Sequence, residues 1–358
     1  MSKFLFITNG QGEDLVAKKI IEGLVPSKAE GLPGNIESSV FPLSGDGKLF
    51  ESLNVPVLGS RKKMPSGGFS LRNIFYLPKD LKEGFLGNSL SQIGHLKKLE
   101  GQFDLIISIG DLIPLLGALL TKCDFVFVGV NKSDYYRFFG FSYTPWEKYL
   151  LKKYAKKIYV RDQLTALNLN RQNVPAEYAG NPLMDCLGPY TKKPKDKHQR
   201  IVGFLPGTRP RDVKLNLENF AKIAEFLLKF DRKMIFYAAT THPTPKILQA
   251  KPFEETIFES DIVVGLSGTG NEQAAGIGKP VVSFPGRGSQ YSKKFARAQK
   301  QLLGRSLSLV NRDKRRIAEE VWEILEDKGR YSQMSHEGIK RMGKGGAVAR
   351  IISYLLKN

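Results

Sequence analysis

Short apolar runs alternate with longer stretches of helical periodicity from one end of the chain to the other. Lys3 to Thr8 reads as a buried strand. Asn9-Gly-Gln-Gly turns the chain, and from Glu13 to Leu24 apolar residues recur with the period of a helix that buries one face. Asp104 to Ile109 is a second strand, followed by an apolar helix from Leu112. Asp124 to Val130 is a third, and Lys157 to Val160 a short fourth with a helix from Gln163. Between Gly188 and Arg200 the pattern stops. That stretch is charged, contains prolines and has no period, so it predicts a linker. Beyond it the alternation resumes with a strand at Ile201 to Leu205, a helix from about Val213 to Phe230 and a strand from Lys233 to Ala238. Ile262 to Leu266 is another strand. A helical stretch opens at Asn271 and Glu272, and Val281 to Phe284 is the strand after it. Gly338 to Gly346 reads as a flexible basic turn ahead of an amphipathic last segment, Ala347 to Leu356. No short-period repeat or low-complexity tract interrupts the pattern.

Strands separated by helices predict parallel sheets covered on both faces, an α/β fold. Two such halves predict two Rossmann-like domains, 1–187 and 201–344, joined by the linker 188–200, with ligands expected in the cleft between them. The chain has 358 residues, enough for two domains of ordinary size. Its 41% hydrophobic and 25% charged residues exclude a disordered or fibrous chain.

Charge changes the picture more. Lys and Arg number 55 against 35 Asp and Glu, a formal net charge of +20. Such an excess suits nucleic acid, anionic lipid or a phosphorylated substrate, or is a generic basic surface. No RNA- or DNA-binding motif is present, so no nucleic acid partner is expected. Met1 to Asn9 is too short for a signal peptide, and no run approaches the roughly 18 apolar residues of a membrane span. Those features predict a cytoplasmic protein, soluble or peripheral to a membrane. Cys123 and Cys186 lie far apart and predict reduced structural thiols. His95, His198, His242 and His336 share no metal spacing, and no metal site is expected.

Candidate chemistry sits where strands end. After Ile262 to Leu266 come Ser267, Gly268, Thr269 and Gly270, small residues that leave backbone amides uncovered at a helix N-terminus. That arrangement suits an anion. Glu272, read as lying in the first turn, is a favourable charge there or a ligand for a ribose diol beside a diphosphate. After Ile201 to Leu205 comes Leu205-Pro-Gly-Thr-Arg-Pro-Arg-Asp. Gly207 permits close backbone approach, Thr208 offers a hydroxyl and Arg209 a rigid fork of donors. In a parallel sheet these two loops converge, so one phosphate ligand is expected to touch both. Gly286-Arg-Gly-Ser-Gln-Tyr-Ser-Lys-Lys follows another strand end, and its Ser289 and Gln290 are candidate hydrogen-bonding groups.

In the first half, Gly10 and Gly12 make a tight turn beside the expected cleft. Glu13 and Asp14 start a helix, where carboxylates are stabilised by the dipole; one of them is alternatively a general base. Asp111, at the end of Asp104 to Ile109, is a helix N-cap or another candidate base. Gly67 to Leu86 mixes Phe69, Leu71, Phe75 and Tyr76 with Arg72, Lys79 and Lys82. Arg61, Lys62 and Lys63 lie just upstream. Aromatic and basic residues together suit an anionic membrane interface, or a core helix with a solvated face.

Together these loops resemble two-domain glycosyltransferases of the GT-B architecture, and more narrowly lipid-A-disaccharide synthase and its related proteins. Leu205-Pro-Gly-Thr-Arg is similar to that family's Leu-Pro-Gly-Ser-Arg. Leu266-Ser-Gly-Thr-Gly-Asn-Glu resembles its Ser-Gly-Thr-Ala-Thr-Leu-Glu with one residue fewer before the Glu, and Gly180-Asn-Pro-Leu-Met-Asp resembles its Gly-His-Pro-Leu segment. The first half departs from the family. Its Gly-Glu-x-Ser-Gly-Asp loop is Asn9-Gly-Gln-Gly-Glu-Asp here, and its Asp-x-Pro-Asp-Phe-Asn survives only as Asp111.

The resemblance implies an inverting, metal-independent enzyme that needs no cofactor and uses a UDP-sugar as substrate. Gly207, Thr208, Arg209 and the Ser267 loop would face the diphosphate, and Glu272 the ribose. The first domain would bind a lipid acceptor at the inner face of a membrane, with 345–358 packing back on it. A UDP-sugar 2-epimerase shares the architecture and is the rival enzyme. A non-catalytic membrane- or nucleic-acid-binding relative is the rival without turnover.

Overall fold

The computed structural model describes residues 2–24, 36–44, 46–59, 85–136, 142–191, 196, 199–286 and 291–357. The chain divides into two compact units, Met1–Cys186 with Gly345–Asn358, and Leu187–Lys344.

Unit one runs β1 (Ser2–Thr8), α1 (Gln11–Leu24), β2 (Ile36–Pro42), α2 (Phe85–Lys98), β3 (Leu105–Gly110), α3 (Leu112–Leu120) and β4 (Phe125–Gly129). It continues through α4 (Pro145–Tyr154), β5 (Ala155–Val160), α5 (Gln163–Asn170), β6 (Ala176–Glu177) and α6 (Pro182–Asp185). Its strands form one parallel sheet in the order β2-β1-β3-β4-β5-β6. The sheet is apolar on both faces because helices cover both. Phe4 and Phe6 join one core with α1, while Leu5 and Ile7 join the other with Leu115 and Leu151. A strand buried on both sides reads as a continuous apolar run, which is why β1 is conspicuous in the sequence.

Unit two runs β7 (Ile201–Leu205), α7 (Pro210–Leu227), β8 (Ile235–Ala239), β9 (Gln249–Lys251), α8 (Phe253–Glu259), β10 (Ile262–Gly265), α9 (Gly268–Gly276) and β11 (Val281–Ser283). Then come α10 (Lys293–Leu303), β12 (Leu307–Leu309), α11 (Lys314–Glu326) and α12 (Lys328–Met342). Its parallel sheet has the order β12-β11-β10-β7-β8-β9. A core of Phe204, Phe220 and Phe236 with Val264 and Val282 fills one side.

The last helix, α13 (Ala347–Leu355), belongs to unit one. Val348, Ile351 and Leu355 join the core around Ile20 and Ile21 of α1. Asp185, at the end of α6, holds the first turn of α13: its carboxylate accepts from the Val348 N–H at 2.9 Å and from the Gly346 N–H. A carboxylate at a helix N-terminus satisfies donors that have no partner within the helix.

Two boundaries differ from the sequence expectation. The helix expected from Val213 opens at Pro210, whose fixed φ and missing N–H suit a first helical position, and it ends at Leu227 rather than Phe230. The flexible turn expected over Gly338 to Gly346 is shorter. Gly338 to Met342 are the last residues of α12. Gly338 is needed there by packing: a Cβ on it would lie 2.3 Å from the Ala275 carbonyl oxygen of α9. Backbone cannot retreat as a side chain can. Gly338→Ala is therefore expected to destabilise unit two by about 1–3 kcal/mol, seen as a lowered melting temperature in thermal unfolding. An unchanged melting temperature would show that the helices are not so closely apposed.

Candidate functional site

In unit two, β7 is internal, and the chain leaves it in one direction for β8 and β9 and in the other for β10, β11 and β12. Loops that leave neighbouring strands in opposite directions open a crevice at the carboxyl ends of β7 and β10. The Leu205 and Ser267 loops both start there. Leu205 pairs with Gly265, and the Leu266 N–H donates to the Leu205 carbonyl at 2.9 Å.

Each loop runs into a helix N-terminus. Gly207 has φ +85°, a backbone that disfavours other residues. The buried Asn216 side chain, from α7, donates to the Pro206 carbonyl at 2.9 Å and fixes the turn. Arg209 is the residue before the first helical position of α7, and Thr208 is exposed beside it.

Ser267 caps α9 by accepting from the Gly270 N–H at 3.2 Å. This corrects the helix expected to open at Asn271: Gly268, Thr269 and Gly270 are its first turn. Glu272 therefore lies one turn further in and is not a first-turn charge. The N–H groups of Gly268 and Thr269 precede any intrahelical acceptor, and the positive end of the helix dipole adds to them. Glu272 is buried and accepts from Gln299 Nε2 of α10 at 2.9 Å. Asn271 is turned inward, donating to the Gly265 carbonyl at 3.3 Å and to the Tyr291 hydroxyl at 3.1 Å. Ser289 and Gln290 lie outside the described residues.

Unit one has the same kind of switch point, between β1 and β3. There the described structure gathers carboxylates. Gly10 forms the turn after β1, but Gly12 is already inside α1; the Asp14 N–H bonds the Gly10 carbonyl at 2.9 Å. Glu13 is buried and accepts from the Asn9 N–H and from the Asn131 side chain, which arrives from the end of β4. Gly110 at the end of β3 has φ +136°, and a Cβ on it would strike the Glu13 carboxylate at 2.4 Å. Asp111 is half-buried and caps α3 by accepting from the Ile113 N–H at 3.2 Å. Asp14 accepts from the Thr8 hydroxyl at 2.5 Å.

Burial pushes the Glu13 carboxyl well above its ordinary range, and Asp111 and Asp14 raise it further against the hydrogen bonds from Asn9 and Asn131. Burial likewise lifts Asp14 to about 6, with Asp46 adding and the Thr8 hydroxyl opposing. A buried carboxylic acid of raised pKa beside a more accessible carboxylate is an arrangement suited to proton transfer.

Sequence reading missed Asn131, Thr8 and Gln299. Asn131 had a signal: it is a polar residue immediately after an apolar strand, as Asp111 is. Gln299 had none, because it sits mid-helix and reaches Glu272 only through the packing of α10 on α9. The patch Phe69, Leu71, Arg72, Phe75, Tyr76, Lys79 and Lys82 lies outside the described residues, with Arg61 to Lys63. Cys123 and Cys186 are both free. Among the described residues no cluster of His, Cys, Asp or Glu is placed to hold a metal ion, and no helix is long and apolar enough to cross a membrane.

A raised carboxyl pKa means that the folded state binds the proton more tightly than the unfolded state. The stability that this contributes is present below about pH 4 and is lost as pH rises through about 6. Asp14→Asn keeps an acceptor for Thr8 and removes the charge. It is expected to stabilise the protein at pH 8 by roughly 2–3 kcal/mol, with the gain shrinking to nothing near pH 4. Chemical denaturation at a series of pH values checks this; a gain independent of pH would refute it.

No protein-family model matches the chain. Among curated proteins it is similar to the lipid-A-disaccharide synthase of Helicobacter pylori strain P12, 22% identical over 253 residues, which is 64% of this chain and 69% of that protein. For strain G27 the figures are 22% over 233 residues, 60% and 64%. Among solved structures, the S. aureus MnaA–UDP co-structure matches with a TM-score of 0.63 and 16% identity, covering 99% of this chain and 96% of that one. The UDP-GlcNAc 2-epimerase from Neisseria meningitidis bound to UDP-GlcNAc gives 0.61, 17%, 99% and 100%. Acinetobacter baumannii MurG gives 0.59, 13%, 100% and 100%. Matches across the whole chain establish the fold as α/β of the GT-B type, with two six-stranded parallel sheets and flanking helices.

Proposed function

We propose that the protein is a metal-independent, inverting glycosyltransferase that moves a sugar from a UDP-sugar to a lipid-linked acceptor. The observation that carries this reading is the pair of helix N-termini, α7 behind Leu205–Arg209 and α9 behind Ser267, at neighbouring strand ends of unit two. Two dipole ends, uncovered amides and a guanidinium suit a diphosphate better than a single phosphate. The same loops resemble motifs of lipid-A-disaccharide synthase, to which the chain is 22% identical over 253 residues, and one matched structure is a co-structure with UDP and another is bound to UDP-GlcNAc.

In this reading Gly207, Thr208, Arg209 and Ser267 to Gly270 face the diphosphate. Glu272, held in place by Gln299, accepts from the ribose. Asp111 is the base: Glu13 and Asp14 are buried, whereas Asp111 is partly exposed. It takes the proton from the acceptor hydroxyl as that oxygen attacks the anomeric carbon. The bond to UDP breaks, and the donors of unit two stabilise the charge that develops on the leaving diphosphate.

Calorimetry with UDP and UDP-sugars tests the donor half; no binding of any of them would sink the proposal. Glu272→Ala should weaken UDP on the order of 10- to 100-fold while leaving pyrophosphate nearly unchanged, and equal losses would refute the ribose role. Asp111→Asn should lower kcat by about 100-fold or more without altering UDP affinity.

A second reading, a UDP-sugar 2-epimerase, is favoured by the number of such enzymes among the fold's matches. Incubating the protein with donor alone separates the two. Epimerised donor without acceptor identifies an epimerase, while a product that forms only with lipid extract identifies a transferase.

A further inference from the structure

The geometry points to α4 of unit one as a docking surface for an anionic lipid bilayer. The helix has two unlike sides. Its inner side is fixed by a capping box in which the Thr144 N–H donates to Glu147 at 2.8 Å and the Glu147 N–H to the Thr144 hydroxyl at 3.3 Å. Glu147 is buried and ion-paired to Lys132, and Leu151 is in the core. Its outer side is aromatic and basic. Trp146 is 76% exposed, Tyr149 53% and Tyr154 45%. Trp146, Tyr149 and Lys153 fall on one stripe by helical spacing. Lys153 Nζ lies 5.4 Å from the Tyr149 ring centre and 5.1 Å from that of Tyr154, and donates to the Tyr149 hydroxyl at 3.1 Å. Lys152 is exposed beside them.

Three observations select the occupant. A tryptophan this exposed is costly in water, and its ring suits the boundary between headgroups and acyl chains. The lysines are not balanced locally: the one acid of the helix, Glu147, is buried and paired, so the outer side presents positive charge alone. That charge complements an anionic leaflet and repels a second copy of the same face. Exposed rings and lysines together on one side of a helix are also the composition of a helix that lies on a bilayer.

The surface is wired to the carboxylate cluster. Lys132, which anchors α4 through Glu147, directly follows Asn131, which donates to Glu13. On the proposed function, docking through Trp146 would bring a lipid-borne hydroxyl to the unit that carries Glu13 and Asp111. This last step rests on the proposed function; the docking itself does not.

The chain has two tryptophans, Trp146 and Trp322. Trp322 lies in unit two, stacked on Phe230 at 5.4 Å and covered by Arg200. In a Trp322→Phe protein the emission comes from Trp146 alone. Titrating it with mixed phosphatidylcholine and phosphatidylglycerol vesicles is expected to shift the emission to the blue. Pure phosphatidylcholine is expected to leave it nearly unchanged, and high salt to reverse the shift. Lys152→Glu with Lys153→Glu is expected to weaken vesicle co-sedimentation by about tenfold or more, with UDP affinity unaltered. An unshifted Trp146 emission, wild-type co-sedimentation of the double variant, or an equal response to a single-stranded oligonucleotide would each overturn the docking surface. If UDP fails to bind while vesicles do, the transferase reading falls and the docking surface stands.

Discussion

Everything chemical in this protein depends on how a parallel sheet is wound. Each sheet begins on an internal strand and is extended first to one side and then to the other. Backbone hydrogen bonds hold β1 against β3 and β7 against β10, but the loops that leave those strands must go opposite ways. The gap between them cannot be filled by a crossing connection, so helix N-termini and short polar loops are left facing it. The same constraint produces an anion-suited crevice in unit two and a carboxylate-lined one in unit one. Their difference is written in a few residues: Arg209 and Ser267 in one, Glu13 and Asp111 in the other.

The fold was legible because strands buried on both faces cannot hide. β1, β3, β4, β7 and β10 are nearly continuous apolar runs, and the polar residues just after them mark the candidate chemistry. Edge and short strands were less visible. β9 (Gln249–Lys251) and β12 (Leu307–Leu309) are each three residues long, and β9 is largely exposed, so neither has a pattern that distinguishes it from a loop. The start of α9 at Gly268 is hidden for a related reason. Ser267-Gly-Thr-Gly contains poor helix formers, and propensity argues for a loop; the Ser267 cap and the packing of α9 override it. The pairing of Gln299 with Glu272 leaves no local trace at all, and the position of Asn131 after an apolar strand marks the residue but not its partner Glu13.

Glycines at the strand ends show how closely backbone and side chain are fitted at both crevices. At Gly265 a Cβ would fall 1.8 Å from Asn271 Oδ1, and at Gly110 one would meet the Glu13 carboxylate. At Gly265 the polar side chain comes from the helix that follows the strand, α9, and at Gly110 it comes from α1, the helix that follows the neighbouring strand β1. The effect in unit two is to turn Asn271 inward, so that the opening itself is lined by backbone and by small residues. In unit one it draws Glu13 under the end of β3, next to Asp111. Glycine-rich sequence at these points therefore reports close packing as well as room for a ligand, and the two requirements select the same residue.

Glu13 and Asp14 are poor choices for stability alone. Burying a carboxyl whose pKa rises means that the folded state is penalised at neutral pH, and an amide in either place would avoid that cost while keeping a hydrogen-bond acceptor. Capping α1 does not require both, because a single first-turn acid suffices for the dipole. Nor does it require burial, since first-turn carboxylates do as well at the surface. What burial adds is a proton held at a pH where an exposed carboxyl would have lost it, set beside the more accessible Asp111. A site that must receive a proton from a hydroxyl and keep neighbouring charges from repelling one another has a use for that combination. Glu13 also holds the Asn9 N–H and the Asn131 side chain, so the end of β1 combines a structural tie with the carboxyl pair that the proposed proton transfer would use.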